Sequence, residues 1–292
     1  MRECAVLDAT DTPNPEDTEP DDQLIAACKL MQETAARYMR WAEEEGVVQA
    51  GSAISDDDDV LTEFSMRETV TGPIKAALDQ LLLTTVTLRT WPRAVRGYAH
   101  STLLRSAITS ASAALWVMDP DTNERRLRAL RSSHEDIRNE INYLDEFDHA
   151  AAGADPDEAR AYIESRIAKK QRLLANGVTL GFEDSQVKQK ESDFNMVTYA
   201  KSRLPNHGSD LTSEWRLLSG RAHGLNWPTT FGESKPDDTD PRFVVRPIGL
   251  TLDRILGSVF IATTVTKAAL ETYAGLAGHP SADFEFMPNP GH

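Results

Sequence analysis

The chain predicts an all-α fold, a single bundle of about seven to nine helices with one short extended segment near 242–247. Three observations predict it. Apolar residues recur three and four apart in segment after segment, which is the period of a helix rather than the alternation of a strand. Asp-Pro, Gly-Pro and Asn-Gly pairs fall between those segments, where helices start and stop. Hydrophobic residues make up 40% of the 292 residues, enough to fill one substantial core.

Residues 1–20 read as a disordered acidic tail, because Pro13, Pro15 and Pro20 stand among acids and threonines with little to bury. The helical domain is expected over 21–277. Asp21 or Asp22 caps a first helix running to about Glu45, with Leu24, Cys28, Met31, Ala35 and Tyr38 at helical spacing and Gly46 as its stop. Gly51 to Asp59 reads as a polar connection. Its four aspartates lack the alternation, the turn glycine and the closing Glu of a calcium loop, so a solvated turn or helix cap is expected. A short helix over 60–70 is broken at Gly72-Pro73. Pro73 then opens a helix to about Arg89 that carries Ile74, Ala77, Leu78 and Leu81. The stiff β-branched run around Thr84, Thr85, Val86 and Thr87 leaves the end of that helix open.

The helix from Pro92 to Met118 is expected at the centre of the bundle. Leu104, Ile108, Ala111, Leu115 and Met118 form its apolar stripe, and small residues crowd around it. Beside that stripe run Arg105, Thr109, Ser112 and Trp116, again at helical spacing. Asp119-Pro120 ends the helix, since a residue before Pro avoids the helical region. Asp121 to about His149 is a long charged helix with Ile137, Ile141 and Leu144 on its buried side and opposite charges on a solvated one. His134-Glu135 has no second His at ligand spacing on this helix, so no metal site is read there.

Asp155, Pro156 and Glu158 start a helix that Asn176-Gly177 stops near Ala175, and Val178 to Asp184 reads as extended. Ser192 to Leu204 is a helix bearing Phe194, Val197 and Tyr199, and Pro205 to Gly208 is a loop. Ser209 or Asp210 caps the next helix, with Leu211, Trp215 and Leu218 on its buried side. Asn226 to Pro241 is irregular, either a lid or a loose insert. Arg242 to Pro247 is the extended piece, Gly249 to Leu276 the closing helix, and 278–292 a frayed tail.

The net charge of −15 is unevenly spread: residues 1–22 carry −7 and Asp56 to Asp59 carry −4. From Arg89 to Arg138 there are nine Arg, no Lys and five acids. Global acidity argues against bulk nucleic-acid binding but leaves room for a local basic site. Cys4 and Cys28 give neither a disulfide framework nor metal spacing, which fits a reducing cytoplasm. No basic start leads into an apolar run, so no signal peptide is read. The apolar stretch Ile255 to Thr266 falls short of the about 20 residues that span a bilayer. A cytoplasmic protein with no membrane partner, no metal and no cofactor is expected. Gly-rich phosphate loops, serine-hydrolase elbows and zinc patterns are not found in the sequence.

The most unusual chemistry lies in Trp215-Arg216-Leu217-Leu218-Ser219-Gly220-Arg221-Ala222-His223-Gly224. Arg216 and His223 are seven apart, so on a helix they return to one face, with Ser219 between them. The planar Arg fork suits a phosphate, and His exchanges its proton near neutral pH. Together they suit a phosphodiester and a proton moved on or off a ribose hydroxyl, with no metal needed. Gly220 inside this helix costs about 1 kcal/mol relative to Ala.

The Arg-x6-His spacing resembles the motif of the HEPN (higher eukaryotes and prokaryotes nucleotide-binding) superfamily. The wider order of aromatic, Arg, two residues, Ser, three residues and His resembles a pattern in bacterial helical domains. That resemblance implies a helical bundle, metal-independent cleavage of RNA or binding of a nucleotide, and a homodimer with the motif at the shared face. It implies that Arg216 grips phosphate and His223 is the acid or base. Leu217 stands where such nucleases usually have a polar residue, and Thr109 where the bacterial domains have an acid four after their Arg.

A plainer reading of the same residues is structural. Arg216 and Arg105 pair with carboxylates, Ser219 bonds to the preceding turn, and His223 ends the helix with Gly224 as its left-handed cap. Two function classes therefore stand. One is an RNA-cleaving or nucleotide-binding protein with Arg216 and His223 as catalytic candidates and Arg105, Ser219 and Arg221 as binding candidates. The other is a non-enzymatic helical interaction or regulatory module.

Overall fold

The computed structural model describes residues 22–90, 95–146, 155–204, 211–228, 235–236, 244–245, 252–279 and 284. Among these, the protein is an all-α bundle of ten helices. They are α1 (Asp22–Arg40), α2 (Ala53–Val60), α3 (Met66–Thr90), α4 (Gly97–Val117), α5 (Thr122–Glu146), α6 (Pro156–Thr179), α7 (Asp184–Val187), α8 (Asp193–Ser202), α9 (Leu211–Ala222) and α10 (Leu252–Leu276). A wider π-helical turn, Trp41–Glu45, extends α1. The extended piece near 242–247 contributes Val244–Val245, which pairs antiparallel with Lys235–Pro236. The expected acidic tail over 1–20, the loop at 205–208 and the Ser209 or Asp210 cap lie outside the described residues.

Helix α4 is the axis of the bundle, packed against α3, α8, α9 and α10. Leu104, Ala107, Ile108, Ala111 and Ala114 are fully buried along it, and its small side chains let four neighbours come close. Helix α10 packs on α1, α3 and α4. Its segment Arg254–Leu276 is long and apolar enough to cross a membrane, yet 56% of that window is buried inside the bundle. Thr263 and Thr266 inside it satisfy their hydroxyls by donating to the carbonyls of Val259 and Ala262. Phe284 is held against α1 as well. The Tyr38 hydroxyl donates to the carbonyl of Phe284, whose ring is buried edge-on to Trp41.

Four local expectations are corrected. Gly72-Pro73 does not break a helix, because α3 runs through it. Pro73 removes one ladder donor, a defect of about 3 kcal/mol. Val70, Ile74, Leu78 and Leu81 around it are buried, each worth about 1.5–3 kcal/mol, so packing wins. Gly72 also has no Cβ to collide with the proline ring.

Asn176-Gly177 does not stop α6, and Val178 to Asp184 is not extended. The helix ends at Gly181, whose φ of +88° is the left-handed cap conformation. There the Phe182 N–H donates to the Gly177 carbonyl and the Gly181 N–H to that of Val178. The next residues form the one-turn α7 with a capping box at Glu183 and Gln186.

The aspartate run is not a solvated turn, while its helix-cap alternative holds at Asp58. The run belongs to α2, which Ser52 caps. Asp57 is completely buried and accepts from Arg125 Nε at 2.5 Å and Arg126 Nε at 2.7 Å. Asp58 caps α3 by accepting the Met66 N–H.

The opposite-charge pairs expected on α5 form, Arg128 with Glu124 at 3.4 Å and Arg138 with Glu135 at 2.6 Å, but its arginines also tie the bundle together rather than only facing solvent. Arg128 pairs with Asp119 at 2.9 Å and stacks on Tyr199 at 4.5 Å. Arg131 donates to the Gln186 carbonyl. The arginine-rich stretch therefore presents far less free positive charge than its composition suggests.

Candidate functional site

Helix α9 sits antiparallel on α4, and two polar stripes meet there. Arg105 and Thr109 are one turn apart on α4; Trp215 and Ser219 are one turn apart on α9. Arg105 Nε donates to Ser219 Oγ at 3.1 Å, and Trp215 Nε1 donates to Thr109 Oγ1 at 2.9 Å. The Arg105 guanidinium lies over the Trp215 ring at 5.3 Å. Asp193 on α8 accepts a long bond from Arg105 at 3.4 Å. Arg105 and Ser219 are thus brought together as the sequence proposes. They satisfy one another, and of the pair Ser219 lines the adjoining groove while Arg105 does not.

That groove is open and measures about 950 Å³. Arg216, Ser219 and Arg221 of α9 line it, joined by Arg254 from α10 and by Trp227 and Leu225 just past the helix. The Arg216 guanidinium stacks on Phe194 at 4.5 Å, which leaves its edge for a ligand. Among the described residues Arg216 has no carboxylate partner within ion-pair distance. Burial and the nearby Arg254 push the Arg221 guanidinium below its ordinary value, and Glu214 offsets part of that. Glu214 also accepts from Ser258 Oγ at 2.5 Å. Three guanidiniums, one of them partly buried and two exposed, therefore share the groove with one carboxylate among the described residues.

Gly220 has a packing reason. A Cβ there would lie 2.6 Å from Trp227 Cζ2 and 2.7 Å from Pro228 Cγ. The indole of Trp227 lies directly on the helix at this point, and only glycine admits it. The helix cost of Gly220 is thus exchanged for a groove wall.

His223 is placed differently from its partner residues. It is exposed, follows the last helical residue, and does not line the groove. Its N–H donates to Ser219, while Gly224, at φ +64°, and Leu225 donate to Arg221 and Gly220. This is the left-handed glycine cap that the plainer reading expects. Arg216 therefore lines the groove from within α9, whereas His223 lies just past the helix end and outside the groove, so the two do not share one helical face.

Sequence reasoning missed Phe194, Glu214, Trp227 and Arg254 as members of this site. One signal was available: a glycine where the helix does not want one marks a close approach by another group.

A second cavity of about 440 Å³ lies beside Pro73, between α3, α5 and the start of α8. Its charges are of both signs and partly cancel, as in the Lys190–Glu135 pair at 3.2 Å. Among the described residues no group of three His, Cys, Asp or Glu side chains converges in a way that would hold a metal. Comparison with protein-family models, with curated proteins and with solved structures yields no match to this chain.

Proposed function

We propose that the protein binds a phosphate-bearing ligand, a nucleotide or RNA, in the α9 groove. The observation that carries this reading is the convergence of Arg216, Arg221 and Arg254 on one groove, where Arg221 is partly buried and Glu214 is the one carboxylate among the described lining residues. Like charges held close together are unfavourable, and a bound anion removes that cost. Each charge-assisted bond to a phosphate oxygen contributes about 1.5–3 kcal/mol. Trp215 and Trp227 give the same groove aromatic walls. The protein is proposed to work in the cytoplasm.

Metal-independent cleavage of RNA, with Arg216 on phosphate and His223 as acid or base, extends this reading and follows the HEPN resemblance. What supports it is the exposure of His223 one turn from Ser219, at the end of the helix that lines the groove. A homodimer with α9 at the shared face would add a second set of these residues. The helical interaction module keeps one observation in its favour: Arg105, Ser219, Thr109 and Trp215 are already bonded to one another.

The test is binding and cleavage of short RNA in EDTA by wild type, Arg216→Ala and His223→Ala, with folding checked by circular dichroism. Three arginine contacts predict a log–log salt slope of about −2 for a single strand. Binding lost in folded Arg216→Ala supports the groove. Cleavage lost in folded His223→Ala supports the nuclease. Wild type that binds neither RNA nor nucleotide leaves the interaction module.

A further inference from the structure

Phosphate alone does not require the wall that Trp227 builds. Trp227 is 41% exposed and Leu225 is 49% exposed, side by side at the mouth of a cationic groove. They give the cationic groove an apolar, aromatic edge. The helix beneath has been adapted to hold this indole, because Gly220 alone among side chains permits its approach. The arginines and the indole thus belong to one groove but answer to two chemistries, a charged group and a flat ring.

We propose that the groove takes an unpaired nucleobase together with its phosphate, that Trp227 is the surface on which the base stacks, and that Gly220 is the residue that sets this specificity. The proposal rests on the reading of the groove as a phosphate site and adds to it a ring subsite. A base can reach the indole only with a free face, so a mononucleotide or single strand fits and a paired duplex does not. Base stacking on an aromatic side chain is sequence-tolerant, since every base has a π-face. The site therefore reads the presence of a base rather than its identity. Gly220 acts through Trp227, as a positioning residue: a methyl group there drives the Trp227–Pro228 corner off the helix while removing no charge.

The test compares adenosine 5′-monophosphate with ribose 5-phosphate by calorimetry on the full chain. Wild type is expected to prefer the nucleotide by about tenfold, the scale of one stacked base. In Gly220→Ala and in Trp227→Leu that preference is expected to fall toward one. In Arg216→Ala the affinity for both ligands is expected to fall together. Two ligands bound equally by wild type overturn the ring subsite while the phosphate site stands. Neither ligand bound by wild type overturns both. If Gly220→Ala does not fold, Trp227→Leu decides. A preference unchanged in folded Trp227→Leu overturns the assignment of the indole.

Discussion

Two clusters in this molecule are built from the same residue types and do different work. At the α2–α5 joint, Arg125 and Arg126 close on Asp57, which is completely buried, and Arg125 also donates to the Asp119 carbonyl. At the other cluster, Arg216 and Arg221 of α9 and Arg254 of α10 line a groove with Glu214, and among the described residues none of the three is ion-paired to a carboxylate within 4 Å. The contrast teaches that arginine count says little about function. What separates a strut from a site is whether the guanidinium donors already have protein acceptors.

The comparison breaks most visibly at Asp57. Asp57→Ala leaves the buried Arg125 guanidinium and the half-buried Arg126 one without their carboxylate, so it is expected to lower stability by about 3–5 kcal/mol in urea unfolding. Groove binding by the fraction that stays folded should be unaltered, and a lost affinity there would mean the two clusters are coupled. On the other side, Arg216→Ala or Arg221→Ala should change unfolding free energy by at most about 0.5 kcal/mol. Either is expected to weaken nucleotide binding about tenfold or more, the scale of one charge-assisted contact. A large stability loss instead would make the groove a second strut.

Between the two stands the Trp215–Thr109 contact, which supports the site from behind. Trp215→Phe removes one hydrogen bond while Thr109 keeps its bond to the Arg105 carbonyl, so a loss of about 1 kcal/mol is expected by chemical denaturation.

A smaller effect is expected from pH. His100 is buried, accepts the Arg96 N–H on Nδ1, and bonds Thr87 through Nε2. Burial, and then Arg96, hold it below the ordinary imidazole value; burial and then Lys170 do the same for His134. The unfolded chain therefore binds these protons more readily than the folded one. Their contribution is present above about pH 6.5 and is lost as pH falls below it. The thermal midpoint should drop between pH 7 and pH 5.5, and His100→Gln should flatten that drop. The smallest stability effect belongs to His223→Ala, expected to stay within about 0.5 kcal/mol because the residue is exposed at a helix end. A larger loss would place His223 in the scaffold.

Much of the architecture is legible from local pattern. Helix period marks α1, α4, α5 and α10, and cap chemistry marks the starts at Asp155 and Ser192 and the stop at Gly224. The same period puts Arg105 beside Thr109 and Trp215 beside Ser219, which is half of each cross-helix contact. Local rules work there because the interactions concerned span a single turn.

They fail where partners are distant in the chain. Whether Pro73 interrupts a helix depends on what buries Val70 and Ile74, not on the proline itself. Whether Asp57 is solvated depends on Arg125, 68 residues away. Arg254 joins Arg216 and Arg221 because α9 and α10 both pack on α4, with Ser258 of α10 donating to Glu214 of α9, and Trp227 joins them because the chain turns back at Gly224. Period and caps specify which face of each helix is apolar and where it ends. Desolvation and charge pairing depend on what folds against that face, and those partners exist only once the bundle has formed.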